Sequence, residues 1–154
     1  MTDEEPKSLL TDEHRALIGV RSKAMTMTVS PVDAQRMRDV LGDTDERWDD
    51  GTGLAAPYVL AMISGARRPD MPRILPGGLL TQQEWKFSRH FRVGEELTGY
   101  TQVLDIRERL GGRYGHSVLV TMSTDWYDAQ GEHVASALNT LTQFDPKAAR
   151  KDQE

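Results

Sequence analysis

Asp43 is the carboxylate in this chain with the clearest address, because Gly42 before it has the composition of a helix end and a polar loop follows. At such a position a carboxylate is first a helix-end residue and only second a candidate acid or base. A proton acceptor working near neutral pH would most readily be histidine, and there are four. His14 comes early, His90 adjoins a turn, and His116 and His133 fall on late strand-like segments, so none neighbours Asp43 in sequence. Trp48, in the same loop as Asp43, carries an N–H that donates and cannot accept a proton. The chain has no cysteine, which excludes disulfides, thiolate metal sites and cysteine nucleophiles together. Arg67, Arg68 and Arg73 form a local basic group around a loop, whose simplest reading is a solvated surface.

The elements that must position these groups can be read from caps and periodicity. Thr11 starts and Gly19 stops a helix of one or two turns. Residues 23–29 alternate as a first strand. Ser30 at the N-cap, Pro31 at the first helical position and Asp33 three residues after the serine begin a second helix. Ala34, Met37, Val40 and Leu41 give it one apolar stripe, and Gly42 ends it. After the glycine-bounded loop 42–53, residues 54–65 are almost free of charge and read as one short buried helix, opened by Pro57 and closed by Gly65. Its Tyr58, Leu60, Met62 and Ile63 are core candidates. Loop 66–78, with three prolines, two adjacent glycines and apolar Met71, Ile74 and Leu75, suits an ordered flap.

Four strands then follow, over 83–91, 97–107, 116–127 and 132–144. Trp85, Phe87 and Phe91 should share one face, as should Val118, Val120, Met122 and Trp126. Turns are expected at 93–96, 110–112 and 128–131, and Pro146 stops the sheet. A twisted antiparallel sheet with one apolar face needs an apolar body to curl around, and the helix of residues 57–65 is that body.

With 154 residues the chain has room for one domain that buries roughly 68–70% of its unfolded surface. Residues 1–8 and 146–154 are expected to be a disordered end and a flexible tail around a domain at 9–145. A net charge of −5 opposes a phosphate-tracking surface, so nucleic acid is not an expected partner. No apolar run approaches the ~20 residues of a membrane span, and the acidic first residues lack the basic-then-apolar pattern of an export signal. A cytoplasmic protein is expected. No internal repeat is visible.

Ile18-Gly19, Val29-Ser30-Pro31, Leu41-Gly42-Asp43, Ala55-Ala56-Pro57, Glu84-Trp85-Lys86-Phe87, Phe91-Arg92-Val93-Gly94-Glu95-Glu96-Leu97 and Tyr127-Asp128-Ala129-Gln130-Gly131-Glu132-His133-Val134-Ala135 occur in this order. Together they resemble the N-terminal half-domain of MaoC-like (FAS1-type) dehydratases over about residues 9 to 145. The resemblance implies an α+β single hot-dog fold, an antiparallel sheet wrapped around a central helix. It also implies chemistry on enoyl thioesters of coenzyme A or acyl carrier protein: hydration to (R)-3-hydroxyacyl thioesters, or the reverse dehydration. In the family's catalytic half a Gly-Asp pair is followed, five residues after the Asp, by a His, and these two side chains hold and activate water.

Gly42 and Asp43 match that pair, but five residues after Asp43 stands Trp48. The resemblance therefore implies a catalytically silent half, paired with a second hot-dog subunit that carries the missing His. Trp48, Pro57, Tyr58 and Met62 would then line the acyl tunnel. Arg67, Arg68 and Arg73 would meet the phosphates of coenzyme A or an acidic carrier protein. The substrate arrives on its carrier, and neither a resident cofactor nor a metal is expected. Two alternatives stand beside this. One is a self-sufficient homodimeric hydratase or thioesterase that uses Asp43 with a histidine such as His90 or His116. The other is a module that binds an acyl thioester or lipid-like ligand without chemistry.

Overall fold

A computed structural model describes residues 7–65 and 71–151. The first helix, α1 (Asp12–Ala16), is capped by Thr11 in a box whose returning partner is the His14 side chain. Strand β1 (Met25–Thr28) leads to α2 (Pro31–Leu41), where the Ser30 hydroxyl accepts from the Asp33 amide and Gly42 ends the helix in a left-handed conformation. Two short 3₁₀ turns, Glu46–Trp48 and Asp50–Thr52, occupy the loop that follows. Next come β2 (Leu54–Ala55), α3 (Tyr58–Gly65), β3 (Gly77–Phe87), β4 (Phe91–Arg92), β5 (Glu96–Arg109), β6 (Ser117–Tyr127), β7 (His133–Phe144) and α4 (Pro146–Lys151). Five strands form one antiparallel sheet in the order β1-β5-β6-β7-β3, and β2 pairs with β4 apart from it.

Several expectations are corrected. The stretch 54–65 is not helical throughout: Leu54 and Ala55 are extended because they pair with Arg92 and Phe91, and the helix starts at Tyr58. Strand β3 begins at Gly77 and ends at Phe87, so the two glycines read as loop are strand, paired with Phe144 and Gln143 of β7. Gly77 fits there for lack of a side chain: a Cβ on it would lie 2.7 Å from the Phe144 carbonyl oxygen. Phe91 belongs to the separate strand β4. On α2 the apolar stripe is only half used, since Ala34 is buried and Met37 packs on the core, whereas Val40 and Leu41 are exposed. Pro146 does stop the sheet, and it also opens α4 inside the expected tail, as its fixed φ suits a first helical turn. Ser8 and Leu9, at the boundary of the expected N-terminal disorder, are tied to Glu108 by the Ser8 hydroxyl (2.6 Å) and the Leu9 amide (2.6 Å).

The helix α3 is the body for only half of the sheet. Val59 and Leu60 pack with Met27, Phe91, Leu97, Trp126 and Val134 in one cluster. Trp126 lies flat on β5, where its strand partner is Gly99 and any Cβ would sit 2.4 Å from the indole. A second cluster, Val103, Ile106, Val118, Val120 and Met122, is covered by Leu9, Leu10 and the flap residues Met71, Ile74 and Leu75. The flap is pinned by Gln143, buried on β7. Its Oε1 accepts from the Ile74 and Leu75 amides (2.8 and 3.1 Å), and its Nε2 donates to the Pro72 carbonyl (2.6 Å).

Candidate functional site

The loop between α2 and α3 is held from both helices. Because Gly42 takes a left-handed turn, the Asp43 amide reaches back to the Arg38 carbonyl (2.9 Å), and the Asp43 carboxylate is aimed across the loop. One of its oxygens accepts from the Asp45 amide (2.9 Å), the other from the Tyr58 hydroxyl (2.6 Å) at the first turn of α3. Arg38, whose side chain is 13% exposed, donates to the carbonyls of Trp48 (2.8 Å), Asp45 (3.3 Å) and Asp43 (3.4 Å) and to the Asp49 carboxylate (3.0 Å). One guanidinium fork thus organises the whole loop. Trp48 is buried, its indole meets the His90 ring edge-on at 5.3 Å, and the Arg47 guanidinium lies 5.0 Å from its ring centre. Ala34, Arg38, Trp48, Leu54, Ala56 and Val93 border a cavity of about 230 Å³ beside this loop.

The electrostatics follow from these bonds. The Tyr58 hydroxyl, and after it the Asp45 amide, hold the Asp43 carboxyl below its ordinary range. Burial, reinforced by the bond to Asp43, pushes the Tyr58 phenol up to about 12. Hydrogen bonds from Arg47 bring Asp45 down to about 2. At neutral pH the site therefore contains ionised carboxylates, a phenol firmly protonated and an indole that only donates. A general base is effective when its pKa lies near the working pH, and none of these three groups meets that condition.

The histidines are placed elsewhere. His14 caps α1, His90 packs on the Trp48 indole, and His116 faces Glu108 through Nε2 (2.9 Å). His133 Nε2 lies 2.8 Å from Ser136 Oγ and 3.4 Å from Asp125 Oδ1, a trio with the residue types of a hydrolytic triad. The geometry is different. Both partners share one ring nitrogen and Ser136 donates to Asp125 (2.6 Å), whereas a triad needs the carboxylate on the opposite nitrogen.

Of the residues singled out from sequence, the structure brings together Asp43, Trp48 and Tyr58 around one loop. Pro57 precedes Tyr58, and Met62, half-buried, lies one turn further along α3. Arg73 is in the flap, where it donates to the Pro76 carbonyl (3.1 Å). Arg67 and Arg68 lie outside the described residues. Arg38 and the Tyr58–Asp43 bond were missed. Arg38 was passed over because only the apolar residues of α2 were used to define its stripe, and the bonded pair is separated by 15 positions across an irregular loop.

Comparison with solved structures supports the architecture. A chain of the ChsH1–ChsH2 complex from Mycobacterium tuberculosis superposes with a TM-score of 0.65 at 16% identity, over 82% of this chain and 89% of that one. A chain of the HadBC complex, a (3R)-hydroxyacyl-ACP dehydratase from the same organism, gives 0.63 at 15% identity, over 82% and 96%. A MaoC-like dehydratase gives 0.71 at 19%, over 91% of this chain but 44% of its own length. At these identities the likeness establishes the fold, a single α+β hot-dog. No curated protein sequence matches the chain. Residues 16–137 match the family described as FAS1-like, dehydratase domain region, and on that span the chain belongs to this hydratase and dehydratase family.

Proposed function

We propose that this chain is the non-catalytic half of a heteromeric (R)-specific enoyl-thioester hydratase or 3-hydroxyacyl-thioester dehydratase. Beside it a second hot-dog subunit carries the Asp/His pair. The observation that supports this reading is Trp48 at the position of the catalytic histidine, together with an Asp43 carboxylate already taken by Tyr58 and the Asp45 amide. Proton transfer at the α-carbon builds negative charge on the thioester oxygen, and one well-placed donor there is worth about 10²–10³ in rate. In this proposal that donor, the water and its base all belong to the partner. Trp48, Pro57, Tyr58 and Met62 contribute wall to the acyl tunnel, and Arg67, Arg68 and Arg73 meet the phosphates of coenzyme A or an acidic carrier protein.

The edge of the sheet favours a partner. Among the described residues strand β3 pairs with β7 on one side only, and its exposed side chains include Leu79, Leu80 and Phe87. An unpaired edge of this length is a liability unless another strand covers it. No helix among the described residues is long and apolar enough to cross a membrane; the proposed complex acts in the cytoplasm on carrier-bound substrates.

The test is Asp43→Asn in the mixed complex. A silent half predicts hydration of crotonyl-CoA within a few-fold of the unmodified complex. A loss above about 100-fold, roughly 2.7 kcal/mol at the transition state, would give Asp43 a catalytic role and overturn the reading.

A further inference from the structure

Among the described residues, the core-facing side of β5, β6 and β7 carries one charged side chain. Strand alternation places Glu108 on that side, beyond Ile106 and opposite Val118. It stands at the end of the apolar floor formed by Val103, Ile106, Val118, Val120 and Met122. The chain's own residues 8–10 lie across this end. The Ser8 hydroxyl donates to one Glu108 oxygen (2.6 Å) and the Leu9 amide to the other (2.6 Å), while Leu9 and Leu10 pack on the floor. His116 Nε2 lies 2.9 Å from the oxygen that the Leu9 amide uses, so the carboxylate is also steadied from the sheet.

Two covers lie over this floor, and they are built differently. The flap hangs on Gln143, which is buried and makes three hydrogen bonds to it. Residues 8–10 rest on two, to a carboxylate whose side chain is 22% exposed, and their leucines are only half-buried. Segments with few buried contacts and water-accessible hydrogen bonds open at the lowest cost. The neighbouring chain lets this one leave alone. Thr11 begins α1 with its own capping box, and beyond that helix the Gly19 amide is fastened to the Val103 carbonyl (2.8 Å).

We propose that Ser8–Leu10 form a detachable strap with Glu108 as its latch, and that withdrawing it opens the floor of Val103, Val118 and Val120 to an apolar ligand in place of the two leucines. Latched, the strap is an autoinhibitory contact for that surface. At neutral pH the latch is set: the Ser8 hydroxyl, and after it the Leu9 amide, hold the Glu108 carboxyl below its ordinary range, so the ionised group accepts both bonds. The device uses neither Asp43 nor the partner subunit, and so goes beyond the hydratase reading.

The test uses the full-length chain, unsubstituted and as Glu108→Ala, labelled on its valine and leucine methyls and followed by NMR. In Glu108→Ala the Leu9 amide should exchange about ten-fold faster or more, the scale of one hydrogen bond to a charged group. The Val118 and Val120 methyl signals should shift, and those of Val59 and Leu60 in the other cluster should not. The apolar dye 1-anilinonaphthalene-8-sulfonate should bind this variant against Val118 and Val120 and leave the unsubstituted chain unbound. Ser8→Ala, at an exposed position, removes one latch bond without touching the sheet, and should speed Leu9 exchange about three-fold or more. It keeps the proposal testable if Glu108→Ala fails to fold. Asp105→Ala removes a carboxylate that pairs with Arg107 on the opposite face of β5, and should change none of these signals. Leu9 exchange unmoved by Glu108→Ala or by Ser8→Ala, no dye bound to Glu108→Ala, equal effects from Asp105→Ala, or Val59 and Leu60 shifting along with Val118 would each overturn the proposal. Hydration by the mixed complex is measured separately, so failure here leaves the partner-subunit reading where it stands, and the reverse.

Discussion

The Tyr58–Asp43 bond is the residue-level feature that most separates this site from a working acid–base pair. It fixes a protonated phenol against an ionised carboxylate, and both are pushed away from neutral pKa values. Tyr58→Phe removes the largest cause of the Asp43 shift, so the Asp43 carboxyl should titrate closer to its ordinary value of about 4. A carboxyl-carbon NMR titration reads this directly, and an unchanged Asp43 titration would show that the bond is not formed in solution. The sign for stability follows from the depressed native pKa. The bond's contribution is present above the unfolded value and is lost as pH falls through the lower native one. Sequence made Asp43 and Trp48 visible as candidates, because both sit at fixed offsets from Gly42. It could not show Tyr58 reaching Asp43, since the loop between them folds through Arg38 and two 3₁₀ turns whose contacts have no periodic signal.

At the scale of elements, two side chains decide how the sheet is covered. Gln143 holds the flap by three hydrogen bonds from a buried position, 68 to 71 positions away in sequence from its partners. Gln143→Leu keeps the volume and leaves the Ile74 and Leu75 amides without their acceptor. Urea unfolding should show a loss of about 1–3 kcal/mol, and hydrogen exchange should show both amides losing protection; retention of both would mean the latch contributes nothing. Gly99→Ala drives a methyl into the Trp126 ring, and such overpacking typically costs about 1–3 kcal/mol. A thermal midpoint unchanged from that of the unsubstituted chain would contradict this packing. The capped helix α2 and the alternation in β6 were legible because caps and periods of two are local. The start of β3 was hidden by Pro76-Gly77-Gly78, a turn-like run whose two glycines are strand because they pair with Phe144 and Gln143 of β7. The split of the core was hidden as well, because Leu9 and Leu10 reach the second cluster from the far end of the chain.

Taken whole, the molecule is a curled sheet with three distinct provinces. Among the described residues, the α2–α3 loop holds Asp43 hydrogen-bonded to Tyr58, β3 offers a long unpaired edge, and the flap covers the second core cluster. An Asp43 carboxylate already bonded to Tyr58, together with an open sheet edge, supports the proposed tunnel-shaping half of a two-chain enzyme. The fold was readable from the order of its motifs. The most direct measurement is crotonyl-CoA hydration, with complex mass taken on the same preparations, for this chain alone and with a hot-dog subunit carrying the Gly-Asp and His set. Activity confined to a mixed complex of the two chains is the predicted result. Turnover by this chain alone would contradict it, and would mean that Asp43 works with a base such as His90 or His116.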